Sequence, residues 1–118
     1  MFIVLLDEPG LFVFNSAADA VREIEPPDAE SEIRAAFDDA AVPYRVEWIR
    51  PNRRSKALGV LRLVEFGEYH FVPAGQADPE ALLALLEKHS ALVNPPEARA
   101  EVTSLLERMR AAQVSGDP

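Results

Sequence analysis

Two short apolar runs open the chain. Residues 2–6 and 11–14 are wholly hydrophobic, and the four residues between them are Asp-Glu-Pro-Gly. Turn-forming residues between two apolar runs predict a β-hairpin. Because polar residues do not interrupt either run, we expect both strands to be covered on both faces of their sheet.

The next segments have the spacing of helices. Ser16 followed by Asp19 resembles a capping box and predicts a helix that ends near Ile24. Pro26-Pro27 stops this helix. Asp28 then predicts the start of a second helix, because apolar residues recur every three or four positions until Pro43. These apolar residues are Ile33, Ala36, Phe37 and Ala40.

Residues 44–73 have the pattern of strands. Residues 44–50 alternate, with Tyr44, Val46 and Trp48 on one face, which predicts a half-buried strand. Pro51-Asn52 predicts the start of a basic loop. Residues 58–66 and 69–73 predict a hairpin with a type II′ turn at Gly67-Glu68, and this register pairs Glu65 with His70.

Two further helices are predicted after residue 77. Asp78-Pro79 is a typical helix start, and residues after Asn94-Pro95-Pro96 continue as a helix to about Ala112. The element order ββααβββαα predicts an α+β fold, with a mainly antiparallel five-stranded sheet and about four helices packed on one face. We expect a single domain over residues 1–114 and a frayed tail over residues 115–118.

Charge is distributed unevenly along the chain. The 118 residues have a formal net charge of −8. Residues 45–62 nevertheless contain six of the twelve basic residues and one acid, Glu47, for a local charge of +5. A sequence pI of about 4.7 weighs against general nucleic-acid binding and favours a basic protein partner.

The residue types and motifs exclude several kinds of site. Cysteine is absent, which excludes disulfides, thiolate nucleophiles and zinc sites that need sulfur. The sequence motifs of dinucleotide-binding proteins, P-loop proteins, zinc proteases and serine hydrolases are absent too. We therefore predict no cofactor, no metal and no enzymatic activity. The apolar run at residues 2–6 is too short for a signal peptide or a membrane span, so we expect a cytoplasmic protein.

Acidic residues between positions 23 and 32 are the first candidate site. They are Glu23, Glu25, Asp28, Glu30 and Glu32. Clustered carboxylates repel one another, and a cationic partner relieves this cost and is attracted by their field. The alternative is a solvated face that only keeps the protein soluble.

Arginines of the basic segment are the second candidate. Arg50, Arg53 and Arg54 could bind carboxylates of a partner or a phosphate. The alternative is that they pair with acidic helices of their own chain. A third candidate is Glu65 with His70 as an acid–base pair, for which a surface ion pair is the simpler interpretation.

Two segments, together with the size and acidity of the chain, carry a likeness to a known group of proteins. They are residues 44–53 (Tyr-Arg-Val-Glu-Trp-Ile-Arg-Pro-Asn-Arg) and residues 67–73 (Gly-Glu-Tyr-His-Phe-Val-Pro). The chain resembles the small acidic immunity proteins of bacterial polymorphic-toxin systems. This resemblance implies a non-enzymatic inhibitor that binds one cognate toxin domain stoichiometrically. The alternative is a regulatory module that binds nucleic acid or a nucleotide through residues 45–62.

Overall fold

The computed structural model describes residues 1–7, 10–57 and 61–115. It contains eight strands: β1 (Phe2–Leu6), β2 (Gly10–Phe14), β3 (Ile33–Asp38), β4 (Tyr44–Arg50), β5 (Arg53–Ala57), β6 (Leu61–Glu65), β7 (Glu68–Pro73) and β8 (Val93–Asn94). Its four helices are α1 (Ala17–Glu23), α2 (Pro26–Ser31), α3 (Pro79–His89) and α4 (Arg99–Ser115). Single 3₁₀ turns, Ser90–Leu92 and Pro96–Ala98, flank β8.

The fold is α+β, but the strands do not form one five-stranded sheet. A four-stranded sheet has the order β3-β1-β2-β8, in which β8 runs parallel to β2 and the other pairs are antiparallel. Strands β4 and β7 form a separate antiparallel pair, and so do β5 and β6. The predicted β1–β2 hairpin is confirmed, with Phe2 opposite Phe14 and Leu6 opposite Gly10.

Helices cover both faces of the four-stranded sheet, so the prediction that they pack on one face is wrong. Alternate residues of a strand point to opposite faces. Ile3 and Leu11 belong to a core with α3 and α4, whereas Phe2 and Val4 belong to a second core with α1, α2, β4 and β7. Coverage on both faces explains the uninterrupted apolar sequence of β1, as expected.

Helices α1, α3 and α4 agree with their predictions, and α1 and α3 have side-chain N-caps. Ser16 accepts a hydrogen bond from the Asp19 backbone N–H at 3.1 Å, and Asp78 accepts one from Ala81 at 3.1 Å. Each of these bonds satisfies a backbone donor that the first helical turn leaves unpaired. Along α4, Val102 is fully buried, as the apolar spacing predicts.

The helix predicted from Asp28 to Pro43 is wrong. Helix α2 begins at Pro26 after its N-cap Glu25 and ends at Ser31, and the chain then continues as strand β3. Strand β3 pairs with β1, with Val4 opposite Ala36. The apolar spacing of this segment fits a helix, but pairing with the free edge of β1 satisfies the backbone of both strands. This tertiary contact overrides the local preference.

The predicted basic loop and the hairpin at Gly67-Glu68 are also wrong. Residues 53–57 form β5, which pairs with β6, while β7 pairs with β4. Gly67 lies against the backbone of residues 50–52, where β4 connects to β5. A Cβ at position 67 would collide with the Arg50 carbonyl oxygen and lie 2.6 Å from the Pro51 carbonyl carbon. Glycine is therefore required by a close approach rather than by a type II′ turn. Residues 58–60 of the predicted hairpin lie outside the described residues.

Strands β5 and β6 pair with each other and with no other strand in the described part of the chain, and we call these two strands the arm. The radius of gyration is 16.6 Å, whereas a compact chain of this length has about 13.5 Å. The protein extends over 65 × 28 × 20 Å. Strands β5 and β6 contact each other extensively and the other elements only slightly.

Two sequence predictions concern the C-terminal tail and a membrane span. Residues 116–118 of the predicted frayed tail lie outside the described residues, and Ser115 is the last residue of α4. Within the described part of the chain, no helix combines the length and apolar character needed to cross a membrane.

Candidate functional site

An open groove lies where the end of β2 meets α1, α2 and the start of α4. Its volume is about 1100 Å³. Apolar residues that contribute to its lining are Leu6, Phe12, Val13, Phe14, Ile24, Pro95 and Ala98. Phe12 and Phe14 are half-buried, so part of each ring faces the groove. A partner seated here would cover apolar surface that the fold leaves exposed.

Carboxylates surround this apolar lining. Six acidic residues line the groove: Asp19, Glu23, Asp28, Glu32, Glu97 and Glu101. Among the described residues of the lining, the single basic one is Arg22, which forms an ion pair with Asp19 one turn away on α1. The formal charge of the lining is therefore −5, from six acids and one base.

Three of the predicted acidic residues converge on the groove, and three of its members were not predicted. Glu23, Asp28 and Glu32 come from the predicted set. Asp19 lies one turn before Glu23 on the capped helix α1, so the i, i+4 spacing places both on one side.

Glu97 and Glu101 reach the same groove from the other end of the chain. Glu97 lies in the 3₁₀ turn Pro96–Ala98, which the Ala98 N–H closes by donating to the Pro95 carbonyl at 3.0 Å. Glu101 follows four residues later in the first turn of α4. The pairing of β8 with β2 brings this turn beside α1. No local signal in the sequence indicates that pairing.

Glu25 and Glu30 lie outside the groove, so the predicted acidic set does not form one surface. Glu25 is the exposed N-cap of α2. Glu30 accepts hydrogen bonds from the Asn52 amide at 2.8 Å and from Arg54 at 2.9 Å. The amide bond and then the guanidinium lower the pKa of the Glu30 carboxyl below its ordinary value.

Asn52 fastens the base of the arm to α2. Its amide nitrogen donates to the Pro26 carbonyl at 3.0 Å as well as to Glu30, and its carbonyl oxygen accepts from the Gly67 N–H at 2.8 Å. The Arg54–Glu30 ion pair lies beside these bonds. Two strand connections and one helix are thus held together by a single side chain.

The predicted basic residues also lie outside the groove, at the base of the arm. Arg50 forms an ion pair with Glu68 at 3.4 Å, and Arg54 binds Glu30. Arg53 is exposed and lies opposite Glu65 in the β5–β6 register. Arg54 therefore pairs with an acidic helix of its own chain, as one of the two interpretations of the basic segment expected. Arg50 pairs instead with a residue of strand β7.

Glu65 and His70 do not form a pair. His70 lies opposite Glu47, and its Nε2 is 3.2 Å from the Glu47 carboxylate, which also binds Arg45 at 3.3 Å. The pairing of β6 with β5 separates Glu65 from β7. The described residues include no group of three or more histidine, aspartate or glutamate side chains that could hold a metal ion.

Tyr69 fixes one wall of the groove and was not predicted as important. Its hydroxyl donates to the carbonyl oxygen of Ile24, the C-cap of α1, at 2.6 Å. Burial, and then the negative charge of Asp28, raise the pKa of Tyr69 to about 12. The bond attaches the end of α1, and with it Glu23, to strand β7.

The groove thus combines an apolar floor, a carboxylate rim and rigid supports. Its lining includes no histidine, lysine, serine or tyrosine among the described residues. No protein-family model, curated protein or solved structure matches this chain.

Proposed function

We propose that this protein is a non-enzymatic, stoichiometric binder: an immunity-type inhibitor that neutralises a cognate bacterial toxin domain in the cytoplasm. The observation that carries the proposal is the convergence of six carboxylates on one concave, apolar-floored groove. These residues come from α1, from α2 and its C-cap, from the 3₁₀ turn Pro96–Ala98 and from α4, so the fold concentrates charge that the sequence separates. The predicted acidic set is revised accordingly: Asp19, Glu97 and Glu101 join Glu23, Asp28 and Glu32, and Glu25 and Glu30 are left out.

A cationic protein surface fits this groove in two ways. A lining charge of −5 attracts a basic partner and speeds its association, because charges of one sign in a concavity focus the field. Lysine and arginine side chains can also lay their apolar stems on Phe12 and Phe14 while their head groups reach the rim. A catalytic or binding cleft that holds a nucleic acid is a typical surface of this kind.

The chemistry of the groove supports binding rather than catalysis. Phenylalanine and aliphatic side chains provide its floor, and carboxylates provide nearly all of its charge. The histidine of the predicted acid–base pair lies elsewhere, in an exposed cluster with Glu47. The other polar side chains of the lining are Asn15, Asn94 and Arg22. The groove therefore provides carboxylates for a cationic partner, and its described lining includes no histidine, lysine, serine or tyrosine that could act as a nucleophile or acid–base partner.

The proposal is tested by affinity capture from the organism that encodes the protein. The groove variant is Glu97→Lys with Glu101→Lys. A matched control is Glu80→Lys with Glu107→Lys, which makes the same change in net charge at exposed positions of α3 and α4 outside the groove. We expect the wild type and the control to capture one basic protein whose toxicity they suppress, and the groove variant to capture none. Equal capture by all three would contradict the proposal.

A nucleic-acid-binding module remains a second candidate because of the arm. Its strands carry four basic residues, and Lys56 lies opposite Arg62 in the register. A two-stranded ribbon fits the major groove of duplex DNA. Titration of a fluorescent oligonucleotide at low salt tests this candidate: no binding at about 50 µM protein removes it, since non-specific binders reach that range.

A further inference from the structure

The end of strand β2 has an unpaired edge inside the groove. On one side, β2 pairs with β1 along its whole length, Gly10–Phe14. On its other side, β8 pairs only with Leu11 and Phe12. The edge at Val13 and Phe14 therefore has no strand partner in the described part of the chain. Both residues are half-buried and line the groove.

Two prolines explain why β8 does not continue along this edge. The strand is Val93–Asn94, and Pro95 and Pro96 follow it directly. Proline has no backbone N–H, so neither residue can donate a hydrogen bond to a neighbouring strand. The chain leaves the sheet instead and forms the 3₁₀ turn Pro96–Ala98. The open edge of β2 is therefore a consequence of the sequence, and it presents backbone groups with which another strand can pair.

The groove follows this edge rather than one face of the sheet. Alternate residues of a strand point to opposite faces. Val13 packs against the core with α3 and α4, whereas Phe14 packs against the core with α1 and α2. Both residues nevertheless line the same groove, which has residues of α1 on one side and the start of α4 on the other. A strand edge between two walls fits an extended segment.

We propose that the groove binds an extended, basic segment of its partner, which pairs with β2 at Val13 and Phe14 as an added strand. This inference rests on the proposed binding role of the groove and adds the conformation of the segment that it recognises. Addition of a strand to an open sheet edge uses main-chain hydrogen bonds for affinity and flanking pockets for side-chain specificity. Because the open edge is short, the ladder fixes the position and direction of the segment, and charge and apolar contact supply most of the affinity.

Charges on both walls define the chemistry of that segment. Glu23 lies on α1, and Glu97 and Glu101 lie in the 3₁₀ turn and the first turn of α4. The side chains of an added strand alternate between its two faces, and hence between the two walls. A lysine or arginine on either face can therefore reach a carboxylate. Its apolar stem can cover the half-buried Phe14 or Val13 on the way.

Three other occupants fit the groove less well. A helix bonds its own backbone groups, so it would exclude water from the edge of β2 without pairing that edge. A second copy that offered the same edge would bring a lining charge of −5 against −5. A nucleic acid carries the same sign of charge as the groove and is repelled. A basic strand pairs with the edge and neutralises the carboxylates.

The experiment uses a defined probe, a capped and fluorescently labelled octapeptide of alternating arginine and valine. In an added strand, the N–H groups of alternate residues point to the neighbouring strand and the others point away from it. Two matched peptides have N-methyl groups on every valine or on every arginine. They keep the charge and the side chains of the parent peptide, and each lacks one of the two alternate sets of donors. Fluorescence anisotropy measures the Kd of each peptide.

Titrations are carried out in about 0.15 M salt, where charges more than about 8 Å apart are largely screened. We expect the parent peptide to bind the wild type with a Kd below about 1 mM, the weak end of specific binding. One methylated peptide should bind at least tenfold more weakly, and the other should bind within twofold of the parent. The variant Glu97→Lys with Glu101→Lys should bind the parent peptide at least tenfold more weakly, and the control Glu80→Lys with Glu107→Lys should bind it as the wild type does.

Three results would overturn the inference. The first is no binding of the parent peptide, and the second is equal binding of the two methylated peptides, whether strong or weak. The third is unchanged binding by the folded groove variant, for which Glu97→Gln with Glu101→Gln substitutes if the charge reversal does not fold. Equal binding of all three peptides that still depends on Glu97 and Glu101 would mean recognition by charge alone. That result would remove the added strand and leave the inhibitor proposal intact, since capture of a toxin decides the latter separately.

Discussion

Removal of the Tyr69 hydroxyl tests how the groove wall is held. Tyr69 is only 4% exposed and donates to the Ile24 carbonyl at 2.6 Å. In Tyr69→Phe this buried carbonyl loses its partner while the ring keeps its packing. The desolvation cost of such a group is about 1–3 kcal/mol. We expect the free energy of unfolding at neutral pH to fall by that amount.

The same substitution changes how stability depends on pH. Burial and Asp28 raise the pKa of Tyr69 to about 12 in the fold, whereas an unfolded tyrosine has a pKa of about 10. Above pH 10 the unfolded chain loses this proton first, so deprotonation favours unfolding. The contribution is complete below pH 10 and is lost as the pH rises towards 12. At pH 11 the wild type should have lost about 1.4 kcal/mol through this residue.

Urea denaturation at pH 8 and pH 11 measures both effects. Phenylalanine does not titrate, so the stability deficit of Tyr69→Phe should shrink by about 1.4 kcal/mol between the two pH values. Tyr44→Phe is the control. Burial and then Asp38 also raise the pKa of Tyr44, so both variants lose a tyrosine with a raised pKa, but Tyr44→Phe keeps Tyr69. Parallel losses of stability in Tyr69→Phe and the wild type would refute the reasoning.

Three further substitutions test the supports of the arm and the core by urea denaturation. Asn52→Ala removes the bonds to Pro26 and Gly67 and should lower the free energy of unfolding by about 2–3 kcal/mol. A loss below about 0.5 kcal/mol, which is typical of a neutral surface substitution, would show that Asn52 anchors nothing. Gly67→Ala drives a Cβ into the Arg50 carbonyl and should cost about 3 kcal/mol, and unchanged stability would contradict the close approach. Leu86→Ala, fully buried in the core with α4, should cost about 2–5 kcal/mol; a smaller cost would place Leu86 outside the core.

Local signals predicted the elements that local contacts stabilise. The caps Ser16 and Asp78 mark helix starts because each side chain bonds the helix that follows it. The β1–β2 hairpin follows from two apolar runs and a short turn. The α+β class was predictable for the same reason, since these elements alone require both kinds of structure.

Distant contacts decide the elements that the sequence did not predict. Strand β3 exists because β1 offers it an unpaired edge, and its apolar spacing fits a helix equally well. Strand β7 pairs with β4 rather than β6, and Gly67 lies against the backbone of residues 50–52. Neither the edge of β1 nor this close approach can be read from a window of neighbouring residues.

The groove was only half predictable for a similar reason. Glu23, Asp28 and Glu32 are close in sequence, and their clustering indicated an acidic surface. Glu97 and Glu101 join them through β8, a two-residue strand after a 3₁₀ turn. The separation of Glu30 from the cluster depends on Asn52, and no charge pattern reveals that hydrogen bond.

The association rate of the captured basic partner, measured against salt concentration, tests the proposed role of the groove most directly. We expect the wild type and the Glu80→Lys/Glu107→Lys control to bind fast at low salt and to slow at least tenfold as salt screens the field. The Glu97→Lys/Glu101→Lys variant should bind slowly, with little dependence on salt. Identical rates for all three proteins at every salt concentration would contradict a role for the groove carboxylates in recognition.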